Sequence, residues 1–143
     1  MNVRKILCGL GFILFLLFAW FQRNDIDPEV YYKPSGIDAT LWVVFYILIA
    51  AVFGVAFFRP APTWLLSIAV LACLAEMALS GPGLVDNLFG EKDFTVMQQS
   101  MTAEDPRVEL SREFFGALIA LVAITVLWCK QGACCSKKKA KNE

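Results

Sequence analysis

The chain has 143 residues, room for one compact unit and no second domain. Hydrophobic residues make up 58% of it, above the roughly 45–50% of soluble domains, and its formal net charge of zero excludes the strongly basic face that general nucleic-acid binding needs. There is no histidine, which removes the commonest general base, the commonest zinc ligand and every Ser/His or Cys/His catalytic pair.

The apolar excess lies in four blocks. The first, Ile6 to Phe21, follows Arg4 and Lys5. A basic start and a Leu/Phe-rich run also describe a secretory signal peptide, but Phe18-Ala19-Trp20 offers no pair of small residues for cleavage, so the segment reads as a retained helix. It ends in a knot of amides and carboxylates: Gln22, Asn24, Asp25 and Asp27. The second block, Leu41 to Phe58, is entered from the Pro34-Ser35-Gly36 break, with Trp42 and Tyr46 near its start, where amphipathic rings favour the headgroup level.

Arg59-Pro60-Ala61-Pro62 stops the second block, because two prolines so close cannot continue a helix. So tight a link forces the third block, Thr63 to Leu79, to run back antiparallel beside it. Ser80-Gly81-Pro82-Gly83 is expected to break the third helix. The fourth block is Phe114 to Cys129, and its helix is expected to start earlier, with Asp105 as N-cap and Pro106 at the first helical position. From Pro106 to Lys130 that helix would be roughly 37 Å long, against a hydrocarbon core of about 30 Å. Arg112 and Glu113 favour its first turns standing clear of the lipid.

None of the four runs carries the polar stripe of a helix buried in a soluble protein. The fold class is therefore all-α integral membrane: a four-helix transmembrane bundle over residues 1–130, with spans of about 6–21, 41–58, 63–79 and 114–129, and a basic tail over 131–143. Counting Lys and Arg sets the orientation. Arg4, Lys5, Arg59, Lys130, Lys137, Lys138, Lys139 and Lys141 fall on one side, against Arg23, Lys33, Lys92, Arg107 and Arg112 on the other. Both termini are accordingly expected in the cytosol. In the connection from Leu84 to Pro106, Phe94, Met97 and Met101 at i, i+3 and i+7 predict an apolar stripe on a short helix, folded over the bundle mouth or binding a partner.

Folding the helices together brings polar residues to one level. The candidate outer cluster is Gln22, Asn24, Asp25, Asp27, Glu76, Arg112 and Glu113, with Glu76 expected one turn below the outer end of the third helix. A mid-membrane carboxylate costs roughly 2.5–3.5 kcal/mol on insertion scales, against about 0.3–0.6 kcal/mol returned by each large aliphatic. Glu76 is thus a proton, cation or substrate site, or a carboxylate paired with Arg112 or hydrated at the interface. An all-oxygen cluster suits only a hard cation such as calcium or magnesium, but no loop has the EF-hand pattern, so an Asx-rich capping turn is the reading and neither metal nor cofactor is expected.

Cys8, Cys73, Cys129, Cys134 and Cys135 all avoid the outer connections, so no exported disulfide framework is implied. Cys134-Cys135 beside Lys137-Lys138-Lys139 suits S-palmitoylation next to anionic lipid, or is a plain stop-transfer flank. Lys139-Ala140-Lys141-Asn142-Glu143 fits a K-x-K-x-x dilysine pattern for retrieval to the endoplasmic reticulum, carried by Lys139 and Lys141. Ala50-x-x-x-Gly54 and Gly116-x-x-x-Ala120 would let backbones approach closely in lipid, within the chain or between copies in a homo- or hetero-oligomer.

Phe21-Gln22-Arg23-Asn24-Asp25-Ile26-Asp27-Pro28, followed by Trp42 and Tyr46, resembles the Q-x-N-D-P-D…W…Y signature of the transmembrane protein 220 family. Glu109-Leu110-Ser111-Arg112-Glu113-Phe114-Phe115-Gly116 resembles the family's acidic-Arg-Glu segment opening a later helix. The chain departs at Ile26, where the family has Pro, and in a longer polar stretch from Glu29 to Thr40. The resemblance implies a multi-pass helical protein. Lacking a nucleophile–base pair, a Gly-rich phosphate loop and metal-ligand spacing, the chain reads as non-enzymatic: a membrane scaffold or accessory subunit surrounded by the lipid bilayer. The alternative is a small cation- or proton-handling transporter or channel subunit using Glu76 with Asp25, Asp27 and Glu113.

Overall fold

A computed structural model describes residues 3–24, 29–31 and 36–139; of Asn24 and residues 133–139 it describes the backbone alone. Four helices carry the chain: α1 (Val3–Phe21), α2 (Gly36–Phe58), α3 (Thr63–Phe89) and α4 (Arg107–Lys139). Single 3₁₀ turns follow α1 at Gln22–Asn24 and interrupt the last connection at Gln98–Ser100. All four helices are long and apolar enough to cross a bilayer.

The bundle is two antiparallel hairpins laid side by side. α1 packs chiefly on α2 and α3 chiefly on α4, while α2 touches α3 and α4 more lightly. The registers follow from small residues. Cys8, Phe15 and Ala19 form the buried stripe of α1, and Gly11 on the same face lies against the Phe53 ring, so closely that a methyl group there would collide with it. Gly54 of α2 receives Phe12 in return. Ala50-x-x-x-Gly54 thus serves a contact within the chain. Gly116 of the second small-residue motif does the same, seated against the Tyr46 hydroxyl.

The core is an aromatic stack continued by aliphatic residues. Phe15 stacks on Phe53 with ring centres 5.6 Å apart and meets Tyr46 at 6.3 Å; Phe18 meets Tyr46 edge-on at 5.3 Å. Ile49, Val52, Ala120 and Ile124 pack beside the stack at the same depth with no exposed surface. Outward, the same helices present Leu10, Leu41, Leu71 and Val122, each more than half exposed. In water such contiguous apolar faces would aggregate; in lipid they need no cover.

The expected turn between α2 and α3 is there: Arg59 N–H still donates to Val55, and Pro62 offers its carbonyl to Leu65 and Leu66 to start α3. Two other expectations need correction. Ser80-Gly81-Pro82-Gly83 does not end the third helix, which runs through Pro82 to Phe89. Proline removes the backbone donor that would pair with the Ala78 carbonyl, but Ser80 is buried against the bundle, its Oγ bonding back to the Glu76 carbonyl (2.7 Å), and Gly83 lets the Leu110 side chain of α4 lie directly on the backbone. Tertiary packing of a buried Ser and Gly holds what local sequence would break. The 94–101 stripe does not form a helix either. Phe94 and Met97 are exposed in chain without regular structure, and only Met101 turns inward.

At its start α4 also departs from expectation. Pro106 contributes its carbonyl to Leu110 N–H, but Asp105 caps no backbone donor through its side chain among the described residues; its carboxylate takes Lys92 and Arg107 instead. At about 1.5 Å per residue α3 is roughly 40 Å long and α4 roughly 50 Å, so both outreach the hydrocarbon core.

Candidate functional site: a polar mouth over an aromatic floor

One end of the bundle carries Gln22, Asp38 and Arg112, and the opposite end carries Arg4, Arg59 and Lys130. At the first end a cavity of about 650 Å³ opens between the α1–α2 hairpin and α4, roofed by the last connection. Its floor is Phe18, Trp42, Tyr46, Gly116 and Ile119. Its polar rim is Gln22 from the turn after α1, Asp38 from the first turn of α2, Gln98 from the roof, and Glu109, Arg112 and Glu113 from the first turns of α4. Among the described residues the rim's three carboxylates outnumber its one guanidinium, so this part of it leans negative. Glu109 is itself buried.

Of the residues singled out by sequence, Gln22, Arg112 and Glu113 line this cavity. Asn24 closes the turn after α1, where only its backbone is described; Asp25 and Asp27 lie outside the described residues. Glu76 is not at the rim. Because α3 continues to Phe89, thirteen residues further on, Glu76 sits about 20 Å below that end. It lines neither this cavity nor the one described below, and no ion pair joins it to Arg112 among the described residues. Cys134 and Cys135 lie on the last turns of α4 and Lys139 ends it, without described side chains; Lys141 lies outside the described residues.

Sequence reasoning missed the best-bonded feature of this end. Asn87 on α3 is buried and makes four hydrogen bonds. Its Nδ2 donates to the Thr95 carbonyl (2.7 Å) and to Ser111 Oγ (2.9 Å); its Oδ1 accepts from Thr95 N–H (3.3 Å) and Arg107 Nη1 (2.7 Å). Arg107 donates further to the Asp93 carbonyl (2.8 Å) and, through Nε, to Asp105 (3.0 Å). Lys92 donates to the same Asp105 oxygen at 2.7 Å. These donors, Lys92 first and Arg107 after it, hold the Asp105 carboxyl below the usual carboxylate range against a desolvation that pushes it up. Arg107-x-x-x-Ser111, one turn apart on one helical face, was the available signal; its partner Asn87 lay beyond the expected end of α3.

The network ties the roof to α3 and α4, so the cavity has a fixed lid on one side. Ala103 N–H donating to the Glu29 carbonyl (3.3 Å) ties the same roof to the connection after α1. Among the described residues no group of three His, Cys, Asp or Glu is placed to hold a metal ion.

Four apolar helices facing outward around a core with polar groups gathered at one end define a multi-pass helical membrane protein. Within that class the chain matches the family model described as transmembrane family 220, helix, over residues 14–129, and it belongs to that family. Both stretches that carry the resemblance, from Phe21 and from Glu109, fall within the match. No curated protein and no solved structure matches the chain.

Proposed function

We propose that the protein is a non-enzymatic accessory or scaffold protein of the membrane, with both termini in the cytosol and the polar mouth facing away from it. The observation that carries this reading is the seal beneath the mouth. Tyr46, Phe15 and Phe53 stack across the interface of α1 and α2, and at the same depth Ile49, Val52, Ala120 and Ile124 fill the bundle with apolar side chains alone. An ion entering the cavity would meet hydrocarbon, and burying an unpaired charge there costs several kcal/mol. Glu76, the one carboxylate at depth in α3, does not line the cavity. The lysine distribution supports the orientation. The dilysine pattern at Lys139 and Lys141 supports residence in the endoplasmic reticulum, and Cys134 and Cys135 are offered for acylation.

Proteoliposomes test the reading. The purified protein should conduct protons, sodium and potassium no faster than protein-free vesicles, with Glu76→Gln indistinguishable from wild type. A flux that wild type supports and Glu76→Gln abolishes would establish the transport reading in its place.

A further inference from the structure

At the end opposite the mouth, the two hairpins leave a crevice between α1 and α4. It encloses about 340 Å³, within the roughly 300–1,000 Å³ range of ligand sites. Its walls are apolar, with Leu7 and Cys8 on one side, Val126 and Leu127 on the other, and Phe53 at the back. Its edge is not apolar: Arg4, Lys130 and Gln131 line it, and among the described residues no carboxylate does. Arg4 is held in place by its bond to the Ala56 carbonyl at 2.8 Å, which fixes the guanidinium at the head of the slot.

Gln131 supplies the second, independent observation. Its Nε2 is buried and has no hydrogen-bond acceptor among the described residues. A buried amide donor without an acceptor is costly, and native structures rarely tolerate one. The group that would satisfy it must bring an acceptor oxygen to a site flanked by two cations, and must leave an apolar remainder for the slot. We infer that the crevice binds an anionic phospholipid, its phosphate oxygens taken by Gln131 Nε2, Arg4 and Lys130, and one acyl chain lying between α1 and α4.

The chemistry selects one occupant. A soluble phosphate would satisfy the donors but leave the apolar slot unfilled. A zwitterionic lipid would fill the slot but bring no net negative charge to offset the two cations. Basic pockets between transmembrane helices are suited to anionic headgroups for this reason. Under the proposed orientation the crevice opens to the cytosolic leaflet, where anionic lipids are enriched, but the site rests on its own residues and stands whatever the flux experiment returns.

Native mass spectrometry of the full chain in detergent tests it, with phosphatidylserine and phosphatidylcholine of identical acyl chains added in turn. Wild type should retain phosphatidylserine in clear preference. Lys130→Gln and Arg4→Gln should each weaken that binding roughly fivefold and weaken phosphatidylcholine less, because only the anionic lipid brings a net charge to the two cations. Gln131→Leu, which keeps the volume and removes the donor, should weaken both lipids alike, since both carry the phosphate that Gln131 bonds. Cys8→Phe should fill the slot and expel both lipids; if that variant does not fold, the Lys130 and Gln131 variants still decide. Equal retention of the two lipids by wild type would overturn the proposal. So would glycerophosphoserine binding as tightly as the intact lipid, or a dimer that forms only as lipid leaves, with a second copy filling the crevice.

Discussion

Replacing Asn87 with alanine should cost about 3 kcal/mol of stability, although the residue lies near the end of a helix and lines neither cavity described above. Neutral hydrogen bonds contribute about 1 kcal/mol net and a bond to a charged partner about 1.5–3 kcal/mol. Asn87 makes three of the first kind and one of the second. Their plain sum of about 5 kcal/mol overstates the loss. Ser111 keeps its bond to the Arg107 carbonyl, Arg107 keeps Asp93 and Asp105, and Thr95 is half-buried, within reach of water. Interhelical bonds in membrane proteins average only about 0.6 kcal/mol, which also pulls the figure down. The assay is reversible unfolding in mixed micelles of rising denaturing-detergent fraction. Asn87→Asp should fall between wild type and Asn87→Ala, since it keeps both accepting bonds and loses both donated ones. A loss under about 1 kcal/mol for Asn87→Ala, or identical losses for the two variants, would refute the account of the network.

Gly116→Ala should destabilise the bundle by about 1–3 kcal/mol, because the added methyl meets the Tyr46 hydroxyl; Tyr46→Phe removes that oxygen and should recover much of the loss, and a double-mutant cycle with no coupling would contradict the contact. The Asp105 contribution should depend on pH in a defined direction. Its carboxyl titrates lower in the folded protein than in the unfolded chain, so its stabilisation is complete above the ordinary value of about 3.9 and fades as pH falls through the lower folded value. Peptic cleavage of the 90–105 connection should therefore accelerate below about pH 4 in wild type, with Asp105→Asn already susceptible at the top of that range; equal cleavage of the two at every pH would remove Asp105 from the roof. The exposed Lys92 partner keeps the effect small.

The membrane class and the number of crossings were legible in the sequence because both depend on the chain's own solvent preference. A run such as Leu41 to Phe58 needs lipid or burial whatever its neighbours do, and Arg59-Pro60-Ala61-Pro62 closes a turn through covalent geometry alone. The family resemblance at Phe21–Pro28 and Glu109–Gly116 was equally local. Where neighbours decide, the reading failed. Gly83 breaks a helix in isolation and here receives Leu110; Pro82 forfeits one bond that packing against α4 outweighs. Once α3 lengthens, Glu76 leaves the rim and Asn87 enters the fold, so one misplaced helix end displaced the sharpest candidate and hid the most heavily bonded residue. Composition fixes which segments leave water, a one-body property. Which polar groups then face each other depends on helix register and on side chains meeting across the bundle, and a single strand of letters does not contain that pairing.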